Sequence, residues 1–158
     1  MDSKTKRRLL SIRKGVLMNT YSLTVAKNLK VSAEAIYDAW LDPEMIKLFM
    51  KPAEVVTVPT PELEARVGGA FSFDMHVGEK VLPHKGEYKV LNRANEIQFT
   101  WNSSNTKEED SLVTITIKAF NDNECELTLV HELLPNEASR EDHKGGWTNI
   151  LNELNKVI

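Results

Sequence analysis

The chain has a single cysteine, Cys125, among its 158 residues. No disulfide framework can form within it, and such sparing use of cysteine suits a reducing compartment. No apolar run approaches the roughly 20 residues of a membrane span. GxGxxG and Walker patterns are absent, so nothing marks a phosphate cradle, and no GxSxG marks a nucleophile elbow. The four histidines, His76, His84, His131 and His143, show no HxH, HExxH or CxxC-type pairing that would pre-place two metal ligands. Repeats and low-complexity tracts are missing too. What remains is 41% hydrophobic and 27% charged, which excludes a disordered or fibrous chain and leaves one ordinary globular domain. A chain of this length hides about 70% of its unfolded surface and needs no metal or disulfide staple.

The net charge of −3 conceals a split. Residues 1–18 carry Lys4, Lys6, Arg7, Arg8, Arg13 and Lys14 against Asp2, a net of +5, and residues 19–158 carry −8. An acidic body lacks the cationic face that displaces counterions from nucleic acid, so nucleic acid is not an expected partner. The basic head is a poor secretory signal, because no uninterrupted apolar stretch or small-residue cleavage site follows it. Two readings of it stand. Leu9, Ile12, Val16 and Leu17 roughly follow helical spacing with basic residues between, as in a membrane-surface helix. Alternatively, Lys14-Gly15-Val16 encoded as AAA-GGA-GTG resembles a ribosome-binding site just ahead of Met18, and the head is a start-site artefact of a bacterial gene. The second is the expectation adopted: an extension over 1–18 and one domain over 19–158. N-terminal sequencing of the native protein checks it, and a first residue at or before Ser3 overturns it.

The body opens with moderate alternation over 21–31, a first strand. Ser32 then offers an N-cap and Glu34 suits the positive end of a helix. Ile36, Ala39 and Trp40 fall on one stripe of the helix that follows, which stops at Asp42-Pro43. Pro43 can open a second short helix, EMIKLFM, before Lys51-Pro52 breaks the chain. Strands are expected over 54–59, 70–77, 81–91, 96–102, 111–120 and 124–133, with turns at Gly68-Gly69, Gly78-Glu79, 92–95 and 121–123. Spacers this short make antiparallel neighbours. From Ser139, taken as N-cap, Trp147, Ile150, Leu151 and Leu154 form an apolar stripe on a long terminal helix. Gly145-Gly146 interrupt it at a cost of about 1 kcal/mol each; close approach of a neighbouring strand or helix is the expected reason, a hinge the second. The expected fold is α+β, a curved antiparallel sheet of about seven strands with two short helices, closed around the long C-terminal helix, since each apolar face needs the other.

These segments carry a resemblance. VSAEAIYDAWLDPEMIKLFM (31–50), ARVGGAFSFDM (65–75), HKGEYKVL (84–91), IQFTW (97–101), SLVTITI (111–117), CELTLVHELLP (125–135) and HKGGWTNILNEL (143–154) stand in the order seen in one family. The chain resembles the activator-of-Hsp90-ATPase-like branch of the START/polyketide-cyclase (SRPBCC) superfamily, with the helix-grip fold of the birch pollen allergen. Leu48-Phe49-Met50 departs from the pattern, where many members carry tryptophan. The resemblance implies a strand, two helices, six strands and a helix. It implies three kinds of function: binding of a lipid-like or aromatic ligand, stimulation of an Hsp90-family ATPase in a stress-response role, and polyketide cyclase-type catalysis.

A helix splayed from a cupped sheet leaves a cavity, and concave apolar sites are default ligand sites. Phe71, Phe73 and Met75 alternate on one face; so do Ile97, Phe99 and Trp101, then His84, Tyr88 and Val90, then Leu127, Leu129, His131 and Leu133. The cavity candidates are Trp40, Phe49, Phe71, Phe73, Met75, His84, Tyr88, Phe99, Trp101, His131, Trp147 and Leu151, with the histidines and Tyr88 as polar handles. The competing reading is that these side chains are simply core. His143 and Trp147 are i, i+4 neighbours and touch as packing. No catalytic residue, metal or cofactor is assigned. Cys125 and His131 share a strand face but read as a buried thiol and a core imidazole, and Asp74 points outward. Arg66 is expected to pair with a carboxylate that pins the turn at Gly68-Gly69, whose glycines supply positive φ. The acidic residues on turns and outward positions read as solvated surface or as a docking face for a basic partner. The expectation is a cytoplasmic monomer or homodimer that binds a small hydrophobic or aromatic molecule. A co-chaperone module and a cyclase-type enzyme are the alternatives; a membrane is not an expected partner.

Overall fold

The computed structural model describes residues 8–13 and 16–158, and side chains from Thr20 onward. Lys14-Gly15, on which the expected start at Met18 rests, lie outside the described residues. Eight antiparallel strands form one sheet: β1 (Arg8–Arg13), β2 (Val16–Leu29), β3 (Glu62–Leu63), β4 (Ala70–Val77), β5 (Lys80–Asn92), β6 (Glu96–Trp101), β7 (Ser111–Asn121) and β8 (Glu124–Leu134). Their order across the sheet is β1-β2-β8-β7-β6-β5-β4-β3. Helices α1 (Ala33–Ala39) and α2 (Pro43–Phe49) follow β2, and α3 (Glu137–Val157) closes the chain. The fold is therefore the expected α+β helix grip, with α3 packed on β2, β8 and α2.

The helix boundaries follow their caps. Ser32 accepts from the Ala35 amide, and Asp42 accepts from Glu44 with Pro43 at the first helical position. The long helix starts earlier than Ser139. Asn136 is its N-cap and accepts from the Ser139 amide at 2.8 Å, while the Ser139 hydroxyl turns away to donate to the Asn105 carbonyl at 2.6 Å.

Four strand expectations are corrected. Residues 8–13 form strand, not helix, with Arg13 paired to Val16, so β2 begins ahead of Tyr21. Residues 54–59 alternate as a strand would, burying Val56 and Val58, but make only the isolated bridge Thr57 to His76. The edges of β4 are taken by β3 and β5, so this segment finds no strand to ladder with beyond that bridge. A register shift between Tyr88 and Val90 moves Val90 off the face of Tyr88: Val90 pairs with outward Gln98, and Leu91 with buried Ile97. In β8, Leu133 takes φ 63°, so buried Leu134 replaces it on the inner face. Alternation cannot announce a bulge in advance, because one extra residue reverses every side chain beyond it.

The core lies between the sheet's inner face and the helices. Phe71 sits at the centre of an aromatic cluster, with ring centroids 4.7 Å from Phe73, 5.5 Å from Tyr88, 5.4 Å from Phe99 and 6.0 Å from Trp101. Of the Gly68-Gly69 pair only Gly68 has positive φ; Gly69 is there because a Cβ would run into the Glu64 carbonyl. Arg66 does pair, with Glu64 at 3.3 Å, but both side chains are exposed.

Candidate functional site

A pocket of about 200 Å³ opens between the middle of α3, the far half of the sheet and the loop after α2. Met75 and Val77 come from β4, Leu82 and His84 from β5, and Trp101 from β6. The Ser104–Thr106 turn and its cap contribute Ser103, Ser104 and Asn105. Helix α3 contributes Asp142, His143, Gly146, Trp147 and Ile150, and the loop adds Pro52 and Val56. The walls are mostly apolar, with two indoles at the inner end whose centroids are 5.0 Å apart. Gly146 belongs to this geometry: a Cβ there would lie 3.1 Å from Pro52, so close approach of the loop accounts for it, whereas Gly145 faces open space.

Of the expected cavity residues, Met75, His84, Trp101 and Trp147 line the pocket. Phe71, Phe73, Tyr88 and Phe99 fill the interior beside it, Trp40 packs edge-on to Phe49 at 5.0 Å, and Leu151 is buried under α3. Sequence reasoning missed His143, Asp142, Pro52, Val56 and the Ser103–Asn105 turn. His143 was legible through its i−4 spacing to Trp147, which sets both on one helix face. Proximity of the loop and turn is tertiary and left no local mark.

His131 is wholly buried behind Trp147 and does not line the pocket. The Trp147 indole donates to His131 Nδ1 at 3.0 Å. Because an indole only donates, Nδ1 must be the acceptor and the ring proton sits on Nε2. Nε2–H therefore donates to Ser111 Oγ at 2.7 Å, and Ser111 donates to the Trp101 carbonyl at 2.6 Å. This chain of three bonds ties α3 to β8, β7 and β6. Burial, and then the neighbouring His143, hold the His131 pKa well below its ordinary value, so the ring is neutral.

The two pocket imidazoles are oriented differently. His84 Nδ1–H donates to the Leu82 carbonyl at 2.9 Å, and His143 Nδ1–H to the Ser139 carbonyl at 2.7 Å. Each Nε2 is then left as an acceptor, and no hydrogen bond donated to either is found among the described residues. Burial lowers both pKa values. The Leu82 carbonyl partly opposes this at His84, where His143 adds to it; the Ser139 carbonyl and Asp142 partly oppose it at His143. Both are neutral near pH 7. The Trp101 indole N–H is buried with no hydrogen-bond partner among the described residues. Tyr88, in the core, is a neutral phenol, because burial pushes its pKa far above its ordinary value.

Neither metal nor thiol chemistry gathers here. Among the described residues no three His, Cys, Asp or Glu side chains cluster as a metal site. Cys125 is buried with its thiol pKa raised, by burial first and then by Glu124 and Glu34. Six residues of strand put it about 20 Å from His131. A second, larger groove, about 590 Å³ along Lys51, Glu54, Asn149, Asn152, Glu153 and Lys156, is polar and charge-balanced.

A long helix gripped by a curved antiparallel sheet, with a pocket between them, defines the class: an α+β helix-grip protein. Residues 30–158 match the family model described as "Activator of Hsp90 ATPase homolog 1-like protein", and the chain belongs to that family. Among solved structures it is similar to a protein of Chromobacterium violaceum, with TM-score 0.74 and 23% identity, covering 87% of this chain and 96% of that one. The AHSA1 protein of Silicibacter pomeroyi follows, with TM-score 0.73 and 23% identity over 85% and 95% of the two chains. A structure described as an HSP90 activator from Plasmodium falciparum gives TM-score 0.69 and 22% identity over 86% and 94%. At these identities the likeness establishes the fold. No curated protein matches the chain. No helix among the described residues is long and apolar enough to cross a membrane.

Proposed function

We propose that the protein binds a small hydrophobic or aromatic molecule in the pocket between α3 and β4–β6. The observation that carries this is a recess of about 200 Å³ walled by Val56, Met75, Leu82, Trp101, Trp147 and Ile150 with few polar groups. A dry apolar cavity of about 150 Å³ accommodates benzene, so this one suits a ring with one or two substituents rather than a sterol. The test is thermal unfolding against a panel of single-ring aromatics, flavonoid-like and sterol-like compounds, and fatty acids. A ligand at a hundred times its dissociation constant adds about 2.7 kcal/mol of stability. If no compound moves the midpoint, the reading fails.

A second reading, a module acting on an Hsp90-family ATPase, is favoured by family membership and by the Plasmodium falciparum neighbour. A pull-down against the host's Hsp90 homologue at low and high salt tests it, since a complex made through the acidic surface weakens as salt rises. Cyclase-type catalysis is less well supplied. Both nitrogens of His131 are engaged, which leaves the pocket-lining His84 and His143 as the imidazoles available to act as base there.

A further inference from the structure

The pocket's polar end has a definite sense, and it selects a ligand chemistry. His84 and His143 both line it, and each spends its Nδ1–H on a backbone carbonyl. Two neutral imidazoles fixed in this way present acceptors only. The Asp142 carboxylate stands close enough to act on His143, and the Ser103–Asn105 turn adds hydroxyl and amide groups that can donate or accept. Lone pairs and a carboxylate repel an anion, and an apolar ring alone leaves buried acceptors unsatisfied at a cost. The group that fits is a hydroxyl that donates. The remaining walls are two indoles and aliphatic side chains, which suit an aromatic ring.

We propose that the ligand class of this pocket is a small phenol, its ring against Trp101 and Trp147 and its hydroxyl donating to the Nε2 of His84 or His143. The proposal rests on the ligand-binding reading above and narrows it from hydrophobic molecules in general to single-ring aromatics with a free hydroxyl.

The experiment uses four probes of nearly the same shape: 4-methylphenol, 4-methylanisole, toluene and 4-methylbenzoate. Binding to the full chain is measured by calorimetry near pH 8, where the imidazoles are neutral. The expected result is that 4-methylphenol binds about tenfold more tightly than 4-methylanisole or toluene, and that 4-methylbenzoate does not bind. His84→Phe or His143→Phe should remove most of that advantage while toluene still binds, the toluene arm reporting an intact pocket. If one variant fails to fold, the other and the wild-type series remain decisive. Equal binding of the three neutral probes would overturn the phenol assignment and leave the apolar pocket standing. Preference for 4-methylbenzoate would overturn it in favour of an anion site. Binding of none would remove the pocket reading and this inference together.

Discussion

Gly86 shows how much the interior depends on a single missing methyl. It pairs with Phe71 across β4 and β5, and a Cβ there would overlap the Thr100 carbonyl and lie 2.5 Å from the Phe71 ring. Phe71 is the hub of the aromatic cluster, so the displaced ring has nowhere to go. Gly86→Ala should cost about 3 kcal/mol in urea unfolding; an unchanged midpoint would mean that the ring packs elsewhere. His131 is the second residue on which the interior turns. Protonation would place a hydrogen on Nδ1 facing the Trp147 N–H, donor against donor. Its folded pKa lies below the unfolded value near 6.5, so the unfolded chain takes up the proton first. This contribution is fully present above about pH 6.5 and is lost as pH falls toward the folded pKa. His84 and His143 act in the same direction. His131→Gln cannot titrate: it should be less stable than wild type at pH 7.5, and its stability should fall less steeply between pH 6.5 and 5. The two slopes differ by up to about 1.4 kcal/mol per pH unit. Parallel curves would show that His131 is not charged on unfolding.

Helix α3 separates two glycines that look alike in sequence. Gly145 faces open space, so Gly145→Ala should stabilise by about 1 kcal/mol through helix propensity alone. Gly146→Ala brings its methyl to 3.1 Å from Pro52, and the gain should be cancelled or reversed. Thermal unfolding of the two variants side by side decides it, and equal gains would deny the close approach. Asn136→Ala should cost about 1 kcal/mol by removing the cap of the same helix. The elements were legible because their signals are local: Ser32, Asp42-Pro43, the turn residues and the stripe of Trp147, Ile150, Leu151 and Leu154. Three things were not. The bulges at Tyr88/Val90 and Leu133 shift alternation without a residue that announces it. Residues 54–59 carry a strand's pattern without a partner for its amides. The pocket forms where a turn, a loop and a helix meet, so Phe71 and Phe99 read the same from sequence as Met75 and Trp101, although only the latter two line it.

At the scale of the whole molecule the sheet has a far edge and a working edge. β1 hydrogen-bonds only to β2 and ends the sheet on one side, while the pocket is built on β4, β5 and β6 toward the other. From Tyr21 onward β2 is also held by β8. A chain of residues 18–158 keeps the β2–β8 pairing, the His131 bond chain and the pocket, and loses one edge strand. A two-stranded pairing is marginal by itself, so the loss should be under about 2 kcal/mol, with toluene or 4-methylphenol affinity unchanged. The bare edge of β2 should then raise the tendency to self-associate, because an unpaired strand templates another. Unfolding and light scattering on both lengths read the two effects separately. Collapse of the shorter chain would make the β1–β2 pairing part of the core fold rather than an addition to it.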